Sequence, residues 1–300
     1  MKKYITVFTP TYNREKLLER CYKSLKKQTV KNFDWLIIDD GSSDNTKKIV
    51  NEWIQNETEF EIRYIYKENG GLHTAYNSAI SNIESELCIC LDSDDFFPDN
   101  SIELILKLWS CKGGEKYAGI IGNDHYIDGS IVGDELPKVE NININEMLIN
   151  GIGKGDKKLV VRTELYKRVG PMKNFEGEKN FNPNYLNTLI SEEYDFLVLN
   201  ENLCFVEYQA TGMSNNIFNQ YVNSPNSFAE LRRLYMSLKN ANFKFIFRNA
   251  IHYNSSCIIA NNYRDILTKS PKKFITLMTF PLGVLLTAYI KYKSRTKKEK

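Results

Sequence analysis

The sequence predicts an α/β fold in which helices flank a mostly parallel central sheet, followed by a helical C-terminal extension. Three observations predict it. Between residues 4 and 110, short apolar runs alternate with amphipathic stretches at the pace of βαβ units. Polar residues gather just after each apolar run, where ligands of parallel sheets collect. The 300 residues also suffice to bury a core without disulfide or metal staples.

The elements follow in order. Residues 4–8 are apolar and β-branched, and Asn13 is placed to cap a helix carrying Leu17, Leu18, Cys21 and Leu25 on one face. Residues 35–38 form the second strand, and Ser43 or Asp44 caps a helix with Ile49, Val50, Trp53 and Ile54. A third strand (62–66), third helix (72–83), fourth strand (87–91) and fourth helix (101–109) complete the half, with Ile102, Ile105, Leu106 and Trp109 inward. Trp53 and Trp109 are read as packing. After Trp109 the rhythm breaks: an Asn- and Gly-rich stretch (141–155), apolar runs at 196–199 and 203–206, then helical patterning from Phe228 onward. The division read from this is an α/β domain over 1–215, in halves 1–110 and 111–215, and a helical extension over 216–300.

Composition narrows the function. With 26% charged and 12% aromatic residues, 16 Gly and 8 Pro, the chain is an ordinary globular mix rather than a disordered one. A net charge of +3 excludes nucleic acid as the expected partner, but it is unevenly spread. Residues 271–300 carry eight Lys or Arg against one acid, whereas residues 1–270 carry 32 against 36. The six cysteines show no paired spacing, so free thiols of a reducing compartment are expected rather than a zinc site at Cys88 and Cys90. The start, MKKYITVFTPTYN, lacks the apolar core of a signal peptide, which places the N-terminus in the cytoplasm. Residues 274–290 are 17 uncharged residues, interrupted by Pro281 and Gly283 and followed by a basic tail. Three arrangements compete for this segment. The first is a peripheral contact of 274–300 with anionic headgroups at the inner face of the cell membrane; the others are a helix packed on the core or on a second copy in a homodimer, and a true span.

Four polar clusters carry the chemistry: Thr9-Pro10-Thr11-Tyr12-Asn13, Asp39-Asp40-Gly41-Ser42-Ser43-Asp44, Asn69-Gly70-Gly71 and Asp92-Ser93-Asp94-Asp95. Each follows one of the four strands, so all four meet at one sheet edge. No GxGxxG follows the first strand and no GxxxxGK[ST] occurs, which disfavours dinucleotide oxidoreductases and P-loop enzymes. Asp92 and Asp94 point to one side of an extended chain and can share a hard cation, Mg²⁺ or Mn²⁺, whose other ligands come from substrate phosphates. The alternative is a set of solvated acids ahead of a helix at Ser101.

TPTYNRE, FDWLIIDDGSSDNT, ENGGLHTAYNSAI and CLDSDDFFPD resemble, in order and spacing, the family 2 glycosyltransferases with a GT-A-type fold. The likeness is strong over 4–110. Residues 159–170, the GEKNF segment and residues 208–214 look like the acceptor half of bacterial members that build cell-surface and cell-wall polysaccharide. The resemblance implies that Thr9, Pro10, Tyr12 and Asn13 surround the nucleotide base, that Asp40 accepts from a uracil N3–H, and that Asp39 neighbours the ribose. It implies further that Asn69 and Gly70 lie by the diphosphate and ribose and that Asn77 stands where relatives carry an Arg-Asn pair. Asp92, Ser93, Asp94 and Asp95 match the DXD segment, with Asp92, Asp94 and Asp95 as metal ligands.

The activity so implied is inverting transfer from a UDP-sugar to a hydroxyl of a saccharide or lipid-linked saccharide acceptor. Relatives place the base in a Glu-Asp pair that this chain lacks; Glu178 is the favoured counterpart, Glu176 the alternative, with Glu192 and Glu193 behind. Lys157, Lys158 and Arg162 could pair with a diphosphate or an anionic acceptor, against the plainer reading as solvated charges around a strand. Two competing functions remain: a sugar nucleotidyltransferase, disfavoured because TPTYN replaces the Gly-rich basic loop after strand one, and a non-catalytic nucleotide-sugar-binding scaffold, disfavoured by the intact acids.

Overall fold

The computed structural model describes residues 4–207, 209 and 216–296. The chain forms two compact units: Met1–Pro171 with Leu186–Glu207, and Met172–Tyr185 with Tyr208–Lys300. Residues 172–185, expected in the acceptor half, thus group with the C-terminal helices, and the expected boundary at residue 215 gives way to this division.

The first unit contains β1 (Ile5–Thr11), α1 (Glu15–Lys26), β2 (Phe33–Asp39), α2 (Thr46–Asn56), β3 (Glu61–Tyr66), α3 (Leu72–Asn82), β4 (Leu87–Cys90) and α4 (Ser101–Lys112). There follow β5 (Tyr117–Tyr126), β6 (Asn141–Ile142), α5 (Ile144–Asn150), β7 (Lys157–Arg162), α6 (Thr163–Val169) and, after α7 (Asn184–Ile190), β8 (Asp195–Val206). The strands make one sheet in the order β3-β2-β1-β4-β7-β5-β8-β6. β3, β2, β1 and β4 are mutually parallel, as helical crossovers require. β7 runs antiparallel to β4 and β5, β8 is parallel to β5, and β6 is antiparallel to β8. The apolar runs 196–199 and 203–206 are one strand, with register shifts where it passes Gly122, Asn123 and Asp124.

The core explains the edge positions. Leu18, Cys21 and Leu25 of α1 are buried with Ile5, Val7, Phe33, Trp35 and Ile37, as helical spacing predicts. Trp53 stacks on Tyr22 at 4.5 Å between ring centroids, and the Trp109 indole donates to Glu86 at 2.7 Å; both tryptophans pack. β1 continues three residues beyond its expected end, because Thr9, Pro10 and Thr11 pair with Ile37, Ile38 and Asp39. β4 ends opposite Phe8, so Pro10 lies where β1 has become an edge on that side and its missing N–H costs least. All six cysteines are free.

The second unit holds α8 (Ile217–Asn223), α9 (Pro225–Ser237), α10 (Phe243–Ile259), α11 (Asp265–Thr268) and α12 (Lys273–Thr296). Pro281 lies inside α12, which stays helical through it and through Gly283, against the expected interruption. Gly283 is needed for closeness: a Cβ there would stand 2.5 Å from Asn254 Cβ of α10. The 208–214 block, Gln209 apart, and residues 297–300 of the basic tail lie outside the described residues.

Candidate active site

The four clusters do meet at the carboxyl edge of β3-β2-β1-β4, because the strands end in register: Thr11 beside Asp39, and Asp39 beside Tyr66. Two of the loops interlock. Asn13, at φ +52, does not cap α1; its N–H donates to Ser42 Oγ (2.8 Å) and its Oδ1 accepts from Ser43 N–H (2.8 Å). Asp44 Oδ2 accepts from Glu15 N–H at 3.1 Å while Glu15 Oε2 accepts from Asn45 N–H at 2.8 Å. Each loop thus satisfies the other's orphan amides at a helix start. Tyr12, 50% exposed, is left at the rim.

Asp40 organises the third loop. Its Oδ1 accepts from Lys67 Nζ (2.6 Å) and Gly70 N–H (3.0 Å), its Oδ2 from Gly71 N–H (2.8 Å) and Asn69 Nδ2 (3.2 Å). Four donors occupy the lone-pair sites of a carboxylate, so a base N–H reaches Asp40 only by displacing one of them. Asp39 is equally committed, accepting from Ser42 N–H (2.7 Å) and the Tyr64 hydroxyl (2.6 Å) with no exposed surface, and is therefore a turn former rather than a ribose neighbour. Thr9 is buried and its hydroxyl accepts from the Trp35 indole at 2.9 Å. Thr9 and the buried Pro10 belong to the strand, and the rim begins at Tyr12. Asn77 is half-buried on α3.

Gly41 brings the second and third loops together. Its φ is +86°, and a Cβ would lie 2.8 Å from Asn69 N. Gly41→Ala should cost roughly 1–3 kcal/mol of stability in denaturant unfolding, from backbone strain and from pushing away the 69–71 loop. An unchanged midpoint would show that the two loops do not need this approach.

The fourth cluster is a turn held from two sides. Asp95 N–H donates to Asp92 O at 3.0 Å, Cys21 Sγ donates to Asp95 O at 3.0 Å, and the Arg20 guanidinium donates to Asp94 O. Phe96 and Phe205 exchange backbone hydrogen bonds (3.1 and 2.8 Å) and stack, tying the turn to β8. The three acids separate in role. Asp92 is exposed and accepts from the Cys90 thiol at 3.5 Å; Asp94 is half-buried; Asp95 is buried with Oδ2 3.6 Å from Lys158 Nζ, itself buried.

Electrostatics sharpen the distinction. Burial and then the Asp92 charge hold the Asp94 carboxyl above the usual range, outweighing Arg14 and Arg20. Burial pushes Asp95 upward and the neighbouring Lys158 ammonium pulls it back. Asp124 of β5, whose buried Oδ1 finds no hydrogen bond among the described residues, is pushed by burial to about 6. The Lys158 ammonium, although desolvated, is held protonated by the acids around it, Asp124, Asp95 and Asp92. This is an excess of carboxylates over cations. Among the described residues no three His, Cys, Asp or Glu side chains form a ready-made metal cage. Of the three expected ligands, Asp95 is the one paired with a lysine. Asp92 and Asp94 remain, a donor set that fits a Mg²⁺-type ion completed by substrate phosphates.

Residues 6–147 match the sequence model described as glycosyl transferase family 2. This part of the chain belongs to that family. The family 2 segment is 36% identical over 103 residues to glycosyltransferase GlyA of Streptococcus pneumoniae serotype 4, covering 34% of this chain and 14% of GlyA. It is 33% identical over 131 residues to GlyG of the same organism (43% and 42% covered) and 35% identical over 103 residues to the chondroitin synthase of Pasteurella multocida (34% and 10%). The matches thus span less than half the length of these relatives. Staphylococcus aureus TarS 1–349, solved with UDP-GlcNAc, superposes at a TM-score of 0.61 with 14% identity, covering 98% of this chain and 92% of that one. The Pyrobaculum calidifontis mannosyltransferase PcManGT, solved with GDP-Man and Mn²⁺, superposes at 0.56 with 17% identity (99% and 84%). At such identities these likenesses show the fold, which is GT-A-type.

The expected base receives another job. Glu178, in the second unit and 5% exposed, accepts from Asn226 N–H (2.7 Å) and Asn226 Nδ2 (2.8 Å) on Oε1, and from Ser227 N–H (2.8 Å) and Ser227 Oγ (2.6 Å) on Oε2. It caps α9, whose first residue, Pro225, has no N–H to satisfy. With every lone pair used, Glu178 is a structural carboxylate rather than a proton acceptor. Glu176 is exposed two residues before it. Glu193 pairs with Arg168 at 3.1 Å, and Glu192 accepts from Asn145 at 3.3 Å.

The basic residues also settle. Lys157 donates to the carbonyls of Val132, Lys154 and Asp156, and Arg162 to those of Tyr117 and Glu115. Lys67, Arg20 and Asp124 escaped the sequence reading. Lys67 was findable, since it directly follows the third strand as the other polar clusters follow theirs.

Proposed function

We propose that the chain is an inverting glycosyltransferase that moves a sugar from a UDP-sugar to a hydroxyl of a saccharide or lipid-linked saccharide, in building bacterial cell-surface polysaccharide. The observation that carries this reading is the meeting of the interlocked 12–13 and 41–45 loops, the Asp40-ordered 69–71 loop and the carboxylate-rich 92–95 turn at one sheet edge. A nucleotide base packs against the exposed Tyr12, the 69–71 loop stands near its diphosphate, and Asp92 and Asp94 hold Mn²⁺ or Mg²⁺ with Ser93 between them. The bound ion supplies Lewis acidity toward the diphosphate oxygens of the leaving group. Asp40 holds the 69–71 loop in place through its amides before substrate arrives, so the loop needs little reorganisation. Lys158 neutralises Asp95 beneath the turn. Inverting transfer also needs a carboxylate to take the acceptor proton, and Glu176, the alternative that the family resemblance offers, is the residue to test in that role.

The test is nucleotide release from UDP-, GDP- and dTDP-sugars with Mn²⁺ or Mg²⁺, alongside thermal shift. UDP release from at least one UDP-sugar, stopped by EDTA, is expected. No stabilisation and no release with any of these donors would reject the reading in favour of a scaffold.

A further inference from the structure

α12 is built inside out. Its buried residues are Thr276, Thr279, Gly283, Thr287, Ile290 and Ser294, five of the six being small or hydroxylated. They meet polar partners on α10: Asn254 Nδ2 donates to Thr276 O (2.8 Å) and Thr279 Oγ1 (3.1 Å), and Thr287 Oγ1 donates to Ser255 Oγ (3.0 Å). Ile275 and Phe280 flank this seam and pack on the core, but the remaining large apolar side chains point the other way, with Phe274 79%, Leu277 61%, Met278 46%, Leu285 67% and Tyr289 51% exposed. At about 100° per residue the buried set falls within about 80° of arc, and the exposed apolar set is centred on the opposite side. A soluble protein buries its leucines and shows its threonines. Close approach at a glycine, hydroxyl hydrogen bonds between helices and apolar residues outward is how helices pack when lipid is the solvent.

The charges select the lipid. α12 contains no Asp or Glu, Lys272 and Lys273 stand at its start, and Lys291, Lys293 and Arg295 stand at its end. Cations flank the apolar stripe at both ends, and Tyr289 and Tyr292 sit at the more basic one, the placement of aromatic side chains at headgroup level. The uncharged stretch of 17 residues, about 26 Å as helix, is shorter than a hydrocarbon core of about 30 Å. A span would also carry α10, with its exposed Lys244 and Arg248, into hydrocarbon.

We propose that α12 lies in the plane of an anionic membrane surface, its Phe274–Leu277–Leu285–Tyr289 face among the acyl chains and its terminal lysines on the headgroups. This rests on the second unit alone and stands whether or not the transferase reading does.

The experiment is flotation of the full chain with phosphatidylcholine vesicles and with vesicles that also contain phosphatidylglycerol. Binding to the anionic vesicles, weakened by salt, is expected. The double variant Leu277→Glu, Leu285→Glu should bind at least roughly tenfold more weakly, with its melting temperature unchanged because both side chains are exposed. Lys291→Glu, Lys293→Glu should lose the preference for anionic lipid. Equal binding to neutral vesicles, or no binding at all, overturns the proposal. A dimer in sedimentation that the leucine variant abolishes, without vesicle binding, overturns it in favour of a second copy. Retention in membranes after alkaline carbonate extraction overturns it in favour of a span.

Discussion

Asp92→Asn should lower metal-dependent UDP release roughly 10²–10³-fold while leaving the protein at least as stable as before. In the proposed function the exposed carboxylate is one of two that hold the ion at the diphosphate, and an amide is a poor ligand for a hard cation, so activity falls. Stability holds because Asp92 makes no ion pair among the described residues, and its charge raises the Asp94 and Asp95 carboxyls, so removing it relieves repulsion. Asp95→Asn should behave oppositely, lowering stability by breaking a buried pair with Lys158. Release rates and denaturant midpoints of the two variants make the comparison. Near-normal release by Asp92→Asn with unaltered metal dependence would remove Asp92 from the ligand set.

Glu178→Gln should cost about 2–3 kcal/mol of stability and leave turnover by the folded protein largely intact. The carboxylate accepts four hydrogen bonds at the start of α9, two from backbone amides that no helix carbonyl can reach. The amide keeps one acceptor oxygen and turns an NH₂ group toward donors, and it forfeits the favourable interaction of a negative charge with the helix N-terminus. Unfolding midpoints together with UDP release per folded molecule read both quantities. An unchanged midpoint with abolished transfer would return Glu178 to the role of base. Glu176→Gln should show the reverse pattern, losing transfer without loss of stability.

Much of the first half was readable because its signals are local. Short apolar runs and helical faces such as Leu18, Cys21 and Leu25 place β1 to β4 and their helices within a few residues, and the polar clusters after each strand then mark one edge. Thr9 and Pro10 look like a turn in the sequence, yet β2 supplies a partner strand and they extend β1. Asn13 looks like a cap for its own helix yet serves the neighbouring loop, whereas Asp44 does both, accepting from Thr46 N–H at the start of α2 and from Glu15 N–H of the neighbouring loop. Local side chain to backbone bonds and the same bonds across 30 residues use identical chemistry, and only proximity in space distinguishes them.

The acids show the same division. That Asp92, Asp94 and Asp95 form a carboxylate cluster at a strand end follows from order and alternation along the chain. That Asp95 belongs to Lys158, and Glu178 to α9, follows from partners 63 and 48 residues away, whose distance along the chain hides them from any pattern of spacing. For α12 the composition already showed an apolar stretch with basic ends, but composition is blind to direction. Which face is buried depends on α10 presenting Asn254 and Ser255, and these draw the threonines inward and leave the leucines out. Periodicity and residue chemistry are properties of the chain, so the fold class and the chemical kind of the site could be read from it. The assignment of each carboxylate, hydroxyl and apolar face is a competition among partners, and the packed structure alone brings those partners within reach.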